Sequence, residues 1–152
     1  MKEIKAPNTI ENIKGKTIFL AGSIEQDKAS LWQDKVVEEL RDVEGVILNP
    51  RRAEWDTSWK QEIENKVFRN QVDWELDALE IADIIIMYFD EHTKSPITLL
   101  ELGLFANSDK LIVCCGKNFW RKGNVDIVCD RNEIEQVNSL EELITRAKEK
   151  IK

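Results

Sequence analysis

The sequence predicts an α/β fold in which a parallel sheet of about five strands is covered by helices on both faces. Short, almost entirely apolar runs alternate along the 152 residues with segments of helical periodicity. Such runs are typical of strands that are buried on both faces. No repeat, low-complexity run or linker-like composition interrupts the alternation. We therefore expect residues 1–152 to form one domain, with residues 1–15 as a polar N-terminal lead.

Five strands and four helices account for most of the chain. The predicted strands lie at residues 17–22, 46–48, 84–89, 111–115 and 126–129. Amphipathic patterns predict helices at residues 31–40, about 59–81 and 95–107. Ser139, followed by Glu142, predicts a capping box at the start of a final helix. Because ligands bind outside the carboxyl ends of strands in such sheets, the loops after the strands are where functional residues are expected.

Composition and charge exclude several classes of function. Acidic residues outnumber basic residues by 29 to 22, and the net charge of −7 opposes binding to nucleic acid. The longest apolar stretches are far shorter than the ~20 residues that a membrane-spanning helix requires. The N-terminal residues contain no apolar signal-peptide core, so we expect a cytoplasmic protein that does not bind membranes.

The sequence lacks the usual signatures of metal and cofactor sites. Cys114, Cys115 and Cys129 lie in or beside apolar runs without the paired spacing of a zinc site, so we expect buried, reduced thiols. No glycine-rich pattern for nicotinamide cofactors and no P-loop is present. The single histidine, His92, lies in a polar stretch after the third strand, where an exposed loop residue is expected.

The most unusual charged residue is Glu101 in the third helix. At 100° per residue it falls inside a stripe formed by Ile97, Leu100, Leu104 and Phe105, and the helix is expected to be buried nearly all round. A lone buried carboxylate is costly unless it has a partner, a pocket or a catalytic role. A neighbouring arginine or backbone amide is one such partner. The position of Glu101 near the carboxyl end of the third strand favours a ligand site instead.

Other polar residues lie where they could contact the same ligand. Gln71 and Glu75 are i,i+4 neighbours that can present an amide and a carboxyl together, although a boundary position with solvent access fits their periodicity equally well. The loop after the second strand carries Arg51, Arg52 and Trp55. Arginine suits anionic groups and tryptophan suits stacking on a planar base, while ion pairing within the loop is the alternative.

Five short motifs occur in a fixed order between about residues 17 and 129. They are Ile18 to Ile24, Asn49-Pro50-Arg51-Arg52 with Trp55-Asp56, Gln71-x-x-Trp74-Glu75, Ala82-Asp83, and Ser95-Pro96-Ile97-Thr98 leading to Glu101-Leu102-Gly103. Together they resemble the nucleoside 2-deoxyribosyltransferase-like family. The resemblance implies a flavodoxin-like fold and exchange of the base on 2′-deoxyribonucleosides, without a metal or an organic cofactor.

The same resemblance assigns roles to individual residues. Glu101 stands at the nucleophilic glutamate of the family, and Glu75 stands at an acidic residue that assists substrate binding and proton transfer. The implied partners are a small nucleoside or nucleotide and a free nucleobase, and the protein is expected to form a homo-oligomer. The expected substrate-binding residues are Gly22, Ser23, Ile24, Asn49, Arg51, Arg52, Trp55, Asp56, Gln71, Trp74 and Ser95.

Two departures from the better-known members leave alternatives open. Ser95 and Glu75 stand where those members carry aspartate. Related nucleotide N-glycosidases often have a serine near the first of these positions. Hydrolysis of nucleoside 5′-monophosphates, with Arg51, Arg52 and Ser95 holding the phosphate, is therefore one alternative. A non-catalytic nucleotide-binding module on the same fold is the other.

Overall fold

The structure is a computed structural model that describes residues 1–25, 31–52 and 56–152. Its strands are β1 (Lys2–Lys5), β2 (Thr17–Gly22), β3 (Val46–Asn49), β4 (Ile84–Phe89), β5 (Leu111–Cys115) and β6 (Glu135–Val137). Its helices are α1 (Trp32–Leu40), α2 (Lys66–Ile81), α3 (Pro96–Phe105), α4 (Lys122–Arg131) and α5 (Leu140–Ile151). Within the described ranges, the strands form one parallel sheet in the order β1-β3-β2-β4-β5-β6. The predicted parallel α/β fold is confirmed, with six strands in place of about five.

Helices cover both faces of the sheet. On one face, Leu20 and Ile86 pack with Val36 of α1 and Leu143 of α5. On the other face, strand residues pack beneath α2, α3 and α4; this core includes Phe19, Met87, Val113, Ala78, Leu102 and Val125. Because successive strand residues point to opposite faces, the continuous apolar runs of the sequence supply both cores at once.

The order of the strands reverses between β2 and β4. From β2 the chain passes through α1 to β3 on one side, and from β3 it returns through α2 to β4 on the other side of β2. The segment that leaves β2 leads to α1 on one face of the sheet, and the segment that leaves β4 leads to α3 on the other face. These two segments diverge at the carboxyl ends of β2 and β4, where a crevice is expected. Ligands bind at this point in open parallel sheets, so the candidate site is expected there.

Two sequence predictions about strands are wrong. The expected polar lead at residues 1–15 contains β1, which pairs with β3 through Ile4 and Leu48 and buries Ile4. The strand expected at residues 126–129 is part of α4, and the last strand is β6 at residues 135–137. Val125 and Cys129 are four residues apart on α4, so both face the core from one side of the helix.

Two helix starts differ in detail from the predictions. The second helix begins at residue 66 rather than about 59, because the side chain of Asn65 accepts a hydrogen bond from Phe68 N at 3.1 Å and caps the helix there. At α5, Ser139 caps the helix as predicted by accepting from Glu142 N at 3.1 Å. The carboxylate of Glu142 accepts from Asn138 N at 2.8 Å, one residue before the amide that a capping box uses.

The exposure of α3 differs from the prediction. Ile97, Leu100 and Leu104 are 56%, 60% and 59% exposed, so the helix is not buried all round. Its buried residues include Thr98, Glu101 and Leu102. When a helix has apolar residues on two faces, its sequence pattern does not indicate which face packs on the sheet. None of the helices in the described ranges is long and apolar enough to cross a membrane.

Candidate active site

Three buried hydroxyl groups join the loops that follow β2 and β4. Ser23 Oγ lies 2.8 Å from Thr93 Oγ1 and 2.7 Å from Ser95 Oγ, and the last two oxygens are 2.8 Å apart. Asp90 N also donates to Ser23 Oγ at 2.9 Å. The close approach of the two loops requires glycine at position 22, because a Cβ there would lie 2.4 Å from Tyr88 O. The predicted Gly22-Ser23 turn and Ser95 therefore meet at the crevice.

The residue before α3 has an unusual backbone. Ser95 is left-handed, with φ of 45°, and its side chain does not cap the helix as an N-cap serine would. Its hydroxyl joins the buried cluster instead. The backbone amides just before α3 bond to a carboxylate instead. Glu25 Oε1 accepts hydrogen bonds from Lys94 N and Ser95 N, both at 2.9 Å.

A chain of hydrogen bonds connects the end of β3 to the turn after β2. Arg51 Nη1 donates to Gln33 Oε1 at 3.0 Å, and Gln33 Nε2 donates to Ser23 O at 3.4 Å. Asn49 Oδ1 accepts from Arg51 N at 3.0 Å, which fixes the start of the loop. The structure thus brings Asn49 and Arg51 to the crevice beside Ser23.

Gln71 and Glu75 form a hydrogen-bonded pair on α2. Gln71 Nε2 donates to Glu75 Oε1 at 2.9 Å and to Pro50 O at 3.0 Å. Gln71 is buried, and its Oε1 has no hydrogen-bond partner among the described residues. Burial raises the pKa of Glu75, and the hydrogen bond from Gln71 acts in the opposite direction. The amide thus holds one carboxyl oxygen of Glu75 in place.

Glu101 is a buried carboxyl group with one oxygen that has no hydrogen-bond partner among the described residues. The residue is 8% exposed, and its Oε2 receives no hydrogen bond from any described residue. No ion pair joins it to an arginine or lysine within the described ranges. Burial, and then the charge of nearby Glu75, raise the pKa of Glu101 to about 8. Two acidic groups on adjacent helices therefore compete for a proton beside the crevice.

The chain resembles known proteins in sequence and in fold. A sequence model of the nucleoside 2-deoxyribosyltransferase-like family matches residues 15–119. The chain belongs to this family. No curated protein matches the chain significantly. A similar solved structure is that of a conserved protein from Enterococcus faecalis V583, with a TM-score of 0.63 and 13% identity over 90% of this chain and 99% of that one. At this identity the likeness shows the fold alone.

Several residues expected to bind substrate have other contacts, are exposed or lie outside the described residues. Trp74 is buried in the core and donates its Nε1 to Asn8 O at 2.8 Å, so we assign it no contact with substrate. Asp56 is exposed and accepts from Ser58 N and Ser58 Oγ. Arg52 stacks over the ring of Trp59 at 5.2 Å. Ile24 is exposed, and Trp55 lies outside the described residues.

Some residues at the crevice escaped the sequence analysis. Gln33 gave a usable signal, because it lies on the buried face of α1 beside Trp32 and Val36. Thr93 and Glu25 gave none, since both are polar residues in loops and their contacts bridge about 70 residues of chain. Their contacts depend on the tertiary arrangement of the loops after β2 and β4, which the local sequence does not predict.

The remaining chemical groups lie outside the crevice. Cys114 and Cys129 are buried and Cys115 is half-buried, and all three are free thiols. His92 is exposed, as predicted. Among the described residues, no cluster of histidine, cysteine and acidic side chains could hold a metal ion. A cleft of about 330 Å³ opens between α3 and α4, lined by Leu99, Leu102, Trp120 and Arg121 among others, and its lining includes neither Glu101 nor Glu75.

Proposed function

We propose that the protein is a nucleoside 2-deoxyribosyltransferase that exchanges the base of 2′-deoxyribonucleosides through a glycosyl ester on Glu101. The observation that carries this proposal is the buried carboxyl of Glu101, whose Oε2 lacks a hydrogen-bond partner among the described residues. A structural role would give such a group a cation or an amide. A nucleophile needs an oxygen that is free to form a bond with the substrate.

In the first step, the Glu101 carboxylate attacks C1′ of the deoxyribose. The C1′–N bond breaks, its electron pair goes to the base nitrogen, and the carboxylic acid of Glu75 protonates that nitrogen. The products are a glycosyl ester, a free base and ionised Glu75. Two carboxyl groups in these roles support an oxocarbenium-like transition state, as in retaining glycosidases.

The step requires one proton to be shared between the two carboxyl groups. In the free protein the raised pKa of Glu101, to about 8, places this proton on Glu101 at neutral pH. Positive charge developing at C1′ favours ionised Glu101, so bound substrate moves the proton to Glu75. Glu75 is poised for transfer because Gln71 fixes one of its oxygens and leaves the other free to carry the proton.

In the second step, an incoming base attacks C1′ from the face that the first base left. Ionised Glu75 accepts the proton from the incoming nitrogen, and the ester bond breaks with its electron pair returning to Glu101. Two displacements at C1′ retain its configuration. If water enters in place of the base, the product is free deoxyribose and the reaction is hydrolysis.

A second candidate is hydrolysis of nucleoside 5′-monophosphates. The observation that favours it is the cluster of Ser23, Thr93 and Ser95 hydroxyls at the start of α3, since hydroxyls and a helix N-terminus suit a phosphate group. Arg51 lies near this cluster through Gln33. Incubation with deoxyadenosine plus cytosine, and separately with deoxyadenosine 5′-monophosphate, separates the two candidates. The first predicts deoxycytidine, and the second predicts adenine from the nucleotide alone.

The covalent step is tested by trapping. A 2′-fluorinated deoxynucleoside slows breakdown of the glycosyl ester, and intact-mass spectrometry should then detect one glycosyl group per chain. Peptide mapping should place it on Glu101. A matched control is Glu101→Gln, which keeps the size of the side chain and should remain unlabelled. An unlabelled wild-type protein that nevertheless exchanges bases would exclude the covalent route.

A further inference from the structure

The carboxylate of Glu25 occupies the start of α3. Its Oε1 accepts from the backbone amides of Lys94 and Ser95, both at 2.9 Å. Unpaired amides at a helix N-terminus attract anions, and the helix dipole adds to this attraction. In this protein the Glu25 side chain already accepts hydrogen bonds from those amides. An anionic ligand would have to displace the Glu25 carboxylate.

Within residues 1–25, 31–52 and 56–152, no lysine or arginine forms an ion pair with Glu25. Lys94 donates its backbone amide to Glu25, but its Nζ lies over the ring of Trp120, 5.1 Å from the ring centroid. The amides of Lys94 and Ser95 therefore face a negatively charged group, and a second negative group at the same place would be repelled.

The start of α3 is within reach of a nucleoside whose C1′ lies at Glu101. Ser95 precedes Glu101 by six residues, which corresponds to about 9 Å along the helix axis. Side chains on a helix lean toward its N-terminus, which shortens the distance from the Glu101 carboxyl to Ser95. A sugar that lies along the helix axis from that carboxyl would place its 5′ end beside Ser95 and its hydroxyl cluster.

We propose that Glu25 is a specificity-determining residue that excludes a 5′-phosphate, so that the substrate is an unphosphorylated deoxynucleoside. This inference rests on the proposed function, because it takes Glu101 as the residue that contacts C1′. The hydroxyl groups of Ser23 and Ser95 then serve the 5′-hydroxyl of the sugar rather than a phosphate.

The test compares kcat/KM for deoxyadenosine and for deoxyadenosine 5′-monophosphate, measured as adenine release or exchange. Wild type should prefer the nucleoside. In Glu25→Gln an amide oxygen can still accept from the two backbone amides while the charge is lost, and in Glu25→Ala the amides are freed. Both variants should raise the ratio of nucleotide to nucleoside efficiency by at least about tenfold, since opposed like charges cost more than one factor of ten in binding.

Glu91→Gln is the matched control. It removes the same charge from the loop after β4, but Glu91 accepts from Asn118 N rather than from the amides at the start of α3. Its ratio should stay near that of wild type, which separates the local contact of Glu25 from the general effect of net charge.

A second measurement distinguishes a change in anion binding from misfolding of the variant. Inhibition of deoxyadenosine turnover by 2-deoxyribose 5-phosphate should strengthen in Glu25→Ala, with circular dichroism confirming the fold. A wild type that acts equally on both substrates, or a ratio that neither Glu25 variant moves, would overturn the role of Glu25 alone. A wild type that acts on neither substrate would overturn the proposed function, and this proposal with it.

Discussion

The hydroxyl oxygen of Ser23 lies 2.7 Å from that of Ser95, although 72 residues separate them in the chain. Ser23 follows β2 and Ser95 follows β4, so this contact joins the two strand ends between which the strand order reverses. Thr93 completes the cluster through contacts of 2.8 Å to both. The edge of the crevice is therefore held by side chains before any ligand arrives.

Replacing Ser23 by alanine should loosen this edge. The change removes the contacts of Ser23 Oγ with Asp90 N, Thr93 Oγ1 and Ser95 Oγ, while Thr93 and Ser95 keep their contact with each other. We therefore expect a loss of about 1–3 kcal/mol in the free energy of unfolding. Urea denaturation measures it. Thr145→Val is the control, because it removes an exposed hydroxyl whose one hydrogen bond to the described residues is to Glu141 O. It should change stability by less than about 0.5 kcal/mol. Equal effects of the two changes would contradict a structural role for the cluster.

Two glycines should respond in opposite directions to alanine. A Cβ at Gly22 would meet Tyr88 O at 2.4 Å and Trp32 Cζ2 at 2.7 Å, so Gly22→Ala should destabilise the fold by about 1–3 kcal/mol. A Cβ at Gly103, within α3, would meet nothing within 4 Å. Gly103→Ala should therefore stabilise the protein by about 0.5–1 kcal/mol through helix propensity. Thermal unfolding of both variants checks the signs, and a stabilised Gly22→Ala would contradict the close approach of β2 and β4.

Replacement of Glu101 by glutamine should abolish base exchange. The amide cannot form the glycosyl ester, so we expect a loss of at least ~10³ in kcat. Binding of the nucleoside, measured by calorimetry, should change far less because the shape of the site is kept. If wild type and Glu101→Gln bind equally and neither releases a base from any nucleoside or nucleotide, the protein is a binding module and not an enzyme.

The same substitution should stabilise the protein at high pH. The pKa of Glu101 is raised to about 8 in the folded protein, whereas an unfolded glutamate has a pKa near 4.5. The folded state therefore binds this proton more tightly, and the contribution of Glu101 to stability is lost as pH rises from 4.5 through 8. Glutamine does not ionise, so Glu101→Gln does not lose stability in this way. The unfolding free energy of the variant relative to that of wild type should therefore increase over this pH range, by a few kcal/mol at most. An advantage that is constant with pH would contradict the raised pKa.

The pH dependence of kcat/KM should be bell-shaped. Above pH 8 the carboxyl pair loses its last proton and no acid remains for the departing base, so the rate should fall. At low pH, protonation of both groups removes the nucleophile. Glu75→Gln removes the neighbouring charge and should lower the pKa of Glu101, as followed by carboxyl-carbon NMR. A rate that stays level above pH 8, or an unchanged pKa in Glu75→Gln, would contradict the coupling.

The sequence was most informative where strands are buried on both faces. β2, β4 and β5 form continuous apolar runs because both cores need their side chains. β1 was missed because Lys-Glu-Ile-Lys is a short, charged strand at the edge of the sheet, where burial imposes little pattern. The apolar run at residues 126–129 predicts a strand although it belongs to α4, because four residues are too few to show a helical period.

The candidate site was predictable only in part, for a similar reason. Helix periodicity and the family resemblance single out Glu101 and Glu75, and Glu101 is buried although most of the stripe that predicted its burial is exposed. Glu25, Thr93 and Gln33 depend on contacts between loops, and no local rule brings those loops together. The exposed stripe of Ile97, Leu100 and Leu104 shows the same limit, since tertiary packing decides which face of α3 meets the sheet.

The two reactive carboxyls proposed here belong to helices packed on the sheet, whereas Arg51 and Arg52 follow β3 in a loop. If these arginines contact the ligand as the sequence predicts, the residues that make bonds and these residues that recognise the ligand belong to separate elements of the fold. Randomising the loop after β3 in a library would then alter which compound binds, while α2 and α3 keep their packing on the sheet. This separation makes the chain a suitable starting point for retargeting toward synthetic nucleoside analogues.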